Sequence, residues 1–323
     1  MEALKTLLPQ IFYVLIFPGF LFCFIFGLFL SGIDRKMVAR MQRRIGPPIM
    51  QPFYDFFKLV GKDHIIPRKA SKKVFLLAPI FGLISIVIIA LFIPIFGFTF
   101  QNNTADIIVI LYLITIPALS LVVGGSSSGS PFASIGISRE MVTMLSYELP
   151  LVMIFLAIGR KAGAAINGNV TFSLADISKY QSMSGIMISK WALIPAAIAF
   201  LLIIPAEVGT VPFDVAEAET EICEGPLVEY SGLYLGIYKL TQAVKMFIMG
   251  SLFVALFFGG SGFSNIYLNI ILMIVAVIIT IVLSVSFVRS VLGRLKVEQT
   301  LKFFWTVPTA LSAISLILVY LKF

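Results

Sequence analysis

Charge is scarce in this sequence. Of its 323 residues, 12% are Asp, Glu, Lys or Arg and 59% are hydrophobic, whereas a soluble domain carries about 25% charged residues. That shortage excludes a soluble globular domain. Histidine occurs once, at His64, and cysteine twice, at Cys23 and Cys223. An iron–sulfur cluster takes four ligands and one histidine leaves little scope for zinc, so the sequence predicts no metal or redox cofactor bound by this chain. No Ser/His/Asp set and no phosphate-binding loop is present. Gly124–Gly129 (GGSSSG) is not followed by the Lys-Ser/Thr of such a loop and reads as a flexible linker. The net charge of +8 comes from bases lying between apolar runs, which points to membrane topology rather than to nucleic acid.

What the chain does have is long apolar runs. A bilayer span needs about 20 mostly apolar residues, and lipid offers backbone groups no partners, so spans are helices or closed barrels. Runs such as Ile266–Val288 are continuous rather than alternating, which is the helical pattern and not that of a barrel. Eight spans are expected, near 10–33, 74–98, 106–124, 141–160, 191–209, 232–259, 265–289 and 303–322. The expectation is therefore an all-α membrane protein forming a single transmembrane domain over 1–323, with interfacial amphipathic helices in its loops. Pro18, Pro79, Pro94, Pro117 and Pro205 fall inside spans, where neighbouring helices can rescue the freed carbonyls. Met1–Gln10 lacks a basic stretch and the first apolar run is too long for a signal peptide, so it is expected to be retained as a span.

Sixteen of the 24 Lys and Arg lie in the loops after spans 1, 3 and 7. Loops rich in these bases stay cytoplasmic, which puts both termini outside in a cytoplasmic-type membrane. The loops expected inside are then about 34–73, 210–231 and 290–302. No internal repeat is evident, which weighs against an inverted-repeat transporter.

Three features carry chemical information. In the first loop, Arg40, Arg43 and Arg44 have the spacing of one helical face, Gly46-Pro47-Pro48 then stops the helix, and Gln51–Val60 is amphipathic with Phe53, Phe56, Phe57 and Val60 on one side. Such a loop either rests on anionic lipid or docks a peripheral protein; the candidate docking residues are Asp34, Arg35, Arg40, Arg43, Arg44, Asp55, Arg289 and Arg294. The second feature is acidic. Seven of the sixteen Asp and Glu fall within Glu207–Glu229, and Asp214, Glu217, Glu221 and Glu224 would form one stripe if that stretch were helical. The third is a set of ionisable residues in or at the ends of spans: Glu148, Glu207, Lys239 and Lys245. A charge at mid-bilayer costs about 2.5–3.5 kcal/mol on insertion scales, so such residues are functional suspects. Lys239 can alternatively snorkel to the surface, and Glu140 is expected at the interface beside a base such as Arg139. Glu148, Glu207, Asp214, Glu217, Glu219, Glu221, Glu229 and Lys245 are the candidate proton relay.

These stretches together resemble the membrane subunit that in respiratory complex I is called subunit 1, with relatives in membrane-bound nickel–iron hydrogenases and formate hydrogenlyase. The resemblance runs from Asp34 to Trp305. It rests on MQRRIGP (41–47), SYELPL (146–151), and PFDVAEAETE with VEYSG (212–221 and 228–232). The chain runs directly through GPPIMQPFYDFFKL (46–59), without the insertion usual in quinone-reducing members. Thr210 stands where those members tend to have Arg, and RLKVEQTLKFFW (294–305) also looks like the hydrogenase branch. Glu224 has no usual counterpart in the family.

The resemblance implies a subunit at the elbow between a peripheral electron-transfer arm and antiporter-like membrane subunits. Its cytoplasmic loops would dock large and small iron–sulfur subunits. Clusters, and nickel–iron in the hydrogenase branch, would belong to those partners. The expected function is to anchor that arm and relay protons through carboxylates, in a ferredoxin-dependent hydrogenase or a close relative. A quinone-binding or sulfur-reducing relative and a stand-alone ion transporter are the alternatives.

Overall fold

A computed structural model describes residues 12–94, 106–166, 168–259 and 266–321. The expectation for Met1–Gln10 lies outside the described residues. Ten helices carry the fold: α1 (Phe20–Met41), α2 (Gln51–Val60), α3 (Lys72–Phe92), α4 (Ile107–Ser128), α5 (Pro131–Ile166), α6 (Leu174–Ser184), α7 (Ile194–Val208), α8 (Gly232–Phe258), α9 (Ile266–Ile281) and α10 (Val297–Tyr320). No strand forms among the described residues; one isolated bridge joins Asp106 to Ser173. Among the described residues, eight helices are long and apolar enough to cross a membrane. They match the eight expected spans, because satisfying every backbone group within one apolar helix is a local property.

The helix ends differ from expectation in ways that have local causes. The first helix continues past the membrane to Met41. It ends there because Arg43 takes a left-handed backbone, φ 58°. Arg43 and Arg44 therefore do not share a helical face with Arg40, although all three are exposed. Gly124–Ser128 is the last turn of α4 rather than a linker, and Gly129 closes it at φ 70°, the conformation glycine adopts most readily. Pro94 lies beyond the end of α3, and Pro18 lies in a break before Phe20.

Helix α8 is the hub. Nearly all of it is buried, and it packs against α1, α3, α7 and α9. Gly27 makes the α1 crossing possible: a Cβ there would sit 2.9 Å from Val244 Cα on α8. Gly27→Ala is expected to push the two helices apart and cost about 1–3 kcal/mol by overpacking, read as a lower melting temperature of the purified protein.

The amphipathic α2 forms as expected. Phe53 and Phe56 meet Phe24 of α1 edge-on, with ring centroids 6.2 and 5.1 Å apart. Tyr54, Phe57 and Val60 stay exposed. The loop is tied down further on, where Ser231 Oγ accepts from Ile65 N–H at 2.9 Å and Ser127 O accepts from Ser71 N–H at 3.0 Å.

Candidate functional site

The loop 34–73, the acidic stretch after α7 and the α9–α10 connection meet at one end of the bundle, joined by ion pairs. The acidic stretch is not one helix. Glu219–Ile222 makes a single α-helical turn and Gly225–Leu227 a 3-10 turn, and Cys223 and Glu224 between them both take positive φ. The predicted helical stripe is thus corrected: Asp214, Glu217 and Glu221 each meet a base from another element through tertiary folding, and Glu224 forms no ion pair among the described residues.

Asp214 receives Arg294, whose Nε lies 3.0 Å from both carboxylate oxygens and whose Nη2 donates to Oδ2 at 2.8 Å. These hydrogen bonds, donated to the Asp214 carboxylate, are the main cause that holds the Arg294 guanidinium even more firmly protonated than usual. Glu217 pairs with Lys239 of α8 at 3.3 Å, so Lys239 serves a partner in the loop instead of snorkelling alone. Glu221 pairs with Arg139 of α5 at 2.5 Å.

The deepest pair is Glu207 with Lys245, 2.7 Å between Oε1 and Nζ, with relative exposures of 3% and 6%. Its construction is legible. Helix α7 ends at Gly209 in the left-handed region, and Gln242 Nε2 on α8 donates to the carbonyls of Val208 and Gly209, both at 3.1 Å. That clasp fixes the last turn of α7, and with it Glu207, against Lys245 one turn further along α8. Lys239, Gln242 and Lys245 recur every three residues and so follow one face. The contact is a close ion pair rather than a well-aligned hydrogen bond, and the Tyr147 side chain of α5 lies within reach of the same carboxylate.

Two adjoining cavities run along these pairs. The outer one, about 320 Å³, is a vestibule bordered by Asp34, Arg35, Glu219, Glu224, Arg289 and Arg294. The inner one, about 70 Å³, is bordered by Glu140, Thr143, Glu207, Tyr238, Thr241 and Lys245. Asp214, Glu217, Lys239 and Gln242 line both. Thr210 is buried in the vestibule wall, its Oγ1 donating to Pro205 O at 3.1 Å.

The remaining candidates divide. Asp34 does not face outward for docking: it is 1% exposed and accepts from Ser286 Oγ at 2.7 Å and Arg289 Nη1 at 2.8 Å. A single turn of π-helix, Val282–Ser286, precedes Arg289. Arg35 pairs with Asp55 at 2.9 Å, and Gln51 donates to the same carboxyl at 2.9 Å. Partial burial works against the Asp55 carboxylate, but the hydrogen bonds from Gln51 and Arg35 and the charges of Arg35 and Lys58 outweigh it and hold the pKa below the usual range. A depressed carboxyl contributes stability above its unfolded pKa of about 3.9 and loses it as pH falls through the folded value. The Asp55→Asn variant is therefore expected to be slightly less stable than native at neutral pH, by less than about 1 kcal/mol for so exposed a pair. The difference should close in acid, as followed by denaturation at several pH values.

Glu148 is half-buried and borders neither cavity, although it lies within electrostatic reach of Glu207. Glu229 is also half-buried and borders neither. Sequence reasoning missed Glu140 and Gln242. Glu140 borders the inner cavity and forms no ion pair with Arg139, which is engaged by Glu221. The available signal was spacing, since Glu140, Thr143 and Tyr147 follow one face of α5. Among the described residues no cluster of His, Cys, Asp or Glu could hold a metal ion.

Comparison with known proteins bears on what this end of the bundle does. The sequence profile of the NADH dehydrogenase family matches residues 13–320. The chain is similar to the NADH-ubiquinone oxidoreductase chain 1 of Mycosarcoma maydis, 31% identical over 309 residues covering 90% of this chain and 89% of that one. It is also similar to hydrogenase-4 component C of Escherichia coli, 34% identical over 228 residues covering 70% and 69%. Among solved structures it matches a chain of the membrane-bound sulfane sulfur reductase, an archaeal respiratory membrane complex. The TM-score is 0.85 at 30% identity, covering 93% of this chain and 96% of that one.

Proposed function

The chain belongs to the NADH dehydrogenase family, as a multi-pass membrane subunit of a complex I-like complex, and on that basis we propose that it couples a docked electron-transfer arm to ion translocation through its own carboxylates. The observation that carries this reading is the row of ion pairs along two adjoining cavities, from Asp214–Arg294 and Glu217–Lys239 to the buried Glu207–Lys245. Carboxyls lining a wet path into a bundle are what a proton relay requires. Glu219, Glu221, Glu229 and Glu148 belong to the proposed relay as outlying members.

The docking face is the charged end of the bundle, with Arg35 and Arg40 at the end of α1, Arg43 and Arg44 in the loop after it, Asp55 on α2 and Arg294 in the α9–α10 connection. Asp34 and Arg289 act there indirectly, by holding α1 to the helix that carries Arg289. The partners are a hydrogenase-like large subunit and a small iron–sulfur subunit, with antiporter-like subunits beside the chain in the membrane. Clusters reside in those partners. This end faces the cytoplasm and both termini lie outside, as the excess of bases requires.

A ferredoxin-dependent hydrogenase is the favoured complex, because the short first loop and Thr210 look like that branch. A quinone- or sulfur-reducing complex is the second reading. It is favoured by the volume of the vestibule, about 320 Å³, which is within the range of small-molecule sites. Purification from native membranes in mild detergent, with identification of co-purifying chains and assay of nickel and iron, separates them. Nickel and iron in constant ratio with a hydrogenase large subunit supports the first reading. Iron without nickel supports the second, and a lone iron-free chain contradicts both.

A further inference from the structure

Four carboxyls border the inner cavity: Glu140, Glu207, Asp214 and Glu217. Three are closed in ion pairs with Lys245, Arg294 and Lys239. Glu140 is in none among the described residues, yet it faces the same space as Lys245, Glu217 and Glu207 and lies within their electrostatic reach. Tyr147 from its own helix, one face with it, is the further titratable group nearby.

We propose that Glu140 is the proton-exchanging carboxyl of the inner cavity, the group through which a proton passes between the vestibule acids and the Glu207–Lys245 pair. The inference rests on the relay reading above and deepens it.

Charge pairing singles out this residue. Protonating Glu207, Asp214 or Glu217 takes the counter-ion from a base that has lost part of its water, and stranding a buried charge is costly. Lys245 is 6% exposed, so its case is the most severe. Glu140 can gain or lose a proton with every pair left closed. The three pairs are neutral, so the charge of the cavity is the charge of Glu140.

A second observation indicates what fills the space. Both carboxylate oxygens of Glu207, a residue 3% exposed, lack a well-aligned hydrogen bond among the described residues, although Lys245 Nζ and the Tyr147 side chain lie beside them. Buried polar atoms of this kind are satisfied by ordered water. A cavity of about 70 Å³ has room for several, since one water needs about 10–15 Å³ on this measure. Waters bonded to Glu207 would span the gap to Glu140. Arg139, held on the outer side of α5 by Glu221 and by Val215 O, fixes the turn from which Glu140 enters the cavity.

The step balances simply. An excess proton carried as hydronium on vestibule water moves to the Glu140 carboxylate: one O–H bond of the hydronium breaks, one at Glu140 forms, and neutral water remains. The Glu140 O–H bond then breaks as its proton passes to a cavity water beside Glu207, which carries it onward as hydronium, and the carboxylate returns. One proton enters, one leaves, and no electron moves. While loaded, Glu140 neither competes for Lys245 nor repels Glu207, which tightens that pair.

The test uses the assembled complex in native membrane vesicles, with E140Q, E140D and E207Q in parallel. Turnover, ions moved per turnover and reaction-induced infrared difference spectra in H2O and D2O are recorded. E140Q is expected to lower translocation by at least about a hundredfold, the smaller effect of losing a proton-transfer group, and to lose a protonated-carboxyl band. E140D should keep that band, displaced, and retain part of the pumping. E140Q with native pumping and an unchanged spectrum overturns the proposal. If E140Q does not assemble, E140D decides: a displaced band supports the assignment and an undisplaced one overturns it. If E207Q loses pumping while E140Q keeps it, this inference fails and the relay stands. If both pump normally, the relay reading itself fails.

Discussion

Glu207→Gln is expected to abolish ion translocation and to lower the stability of the protein by about 3–5 kcal/mol, the cost of breaking a buried ion pair by removing one partner. The cause is Lys245, 6% exposed, which loses the one carboxylate it is in contact with among the described residues. The two effects can be separated. In Glu207→Gln/Lys245→Met both charges are gone, and a buried pair replaced by apolar groups is often neutral in stability. The double variant should melt close to native while translocation stays lost. Thermal denaturation of the purified complex together with vesicle pumping reads both quantities. Recovery of pumping in the double variant would show that the pair is structural and lies off the proton path. Glu221→Gln gives the contrast: its side chain is 54% exposed beside Arg139, and exposed pairs contribute about 0–1 kcal/mol.

Asp34→Ala should be nearly as damaging to the fold as Glu207→Gln, by about 3 kcal/mol, for a reason that concerns architecture rather than proton transfer. Asp34 ties α1 to the helical stretch Phe287–Val291 through Ser286 and Arg289, and it is 1% exposed. The π-helical turn inserts one extra residue per turn just before Arg289, and the Ser286 and Arg289 donors both reach the same carboxylate. The loss sits at the low end because the Arg289 side chain is 35% exposed and can return to water. Asp34→Asn should be milder, since the amide still accepts from Ser286. Melting temperatures of the two variants check this, and equal losses would mean that the charge on Asp34, and not its hydrogen bonding to Ser286, holds the two helices together.

Much of the fold was written in single stretches of sequence. Each span announces itself because a helix in lipid must satisfy its own backbone and cover it with apolar side chains, so length and hydropathy are enough. Helix α2 was equally plain, since Phe53 and Phe56 recur at helical spacing after Gly46-Pro47-Pro48. The acidic stretch was recognisable as a site, but its shape was not. A helical stripe was the natural expectation from spacing, and Pro212, the left-handed Cys223 and Glu224, and Gly225-Pro226 break it. Asp34 and Arg289 resembled docking residues because exposure cannot be read from charge alone.

An eight-span helical membrane protein with a charged, loop-built end thus follows from the order of residues alone. Which charges neutralise one another at that end is settled only by three-dimensional packing. Arg294 lies 80 residues from Asp214 and Arg139 lies 82 residues from Glu221; no periodicity connects positions so far apart. Their pairing depends on which faces α5, α8 and the α9–α10 connection turn inward. Those faces are set where helices close on one another, as where Gly27 lets α1 approach α8 and Gln242 clasps the end of α7. The same packing leaves Glu140 as the inner-cavity carboxyl without an ion pair among the described residues, because Arg139 is taken by Glu221.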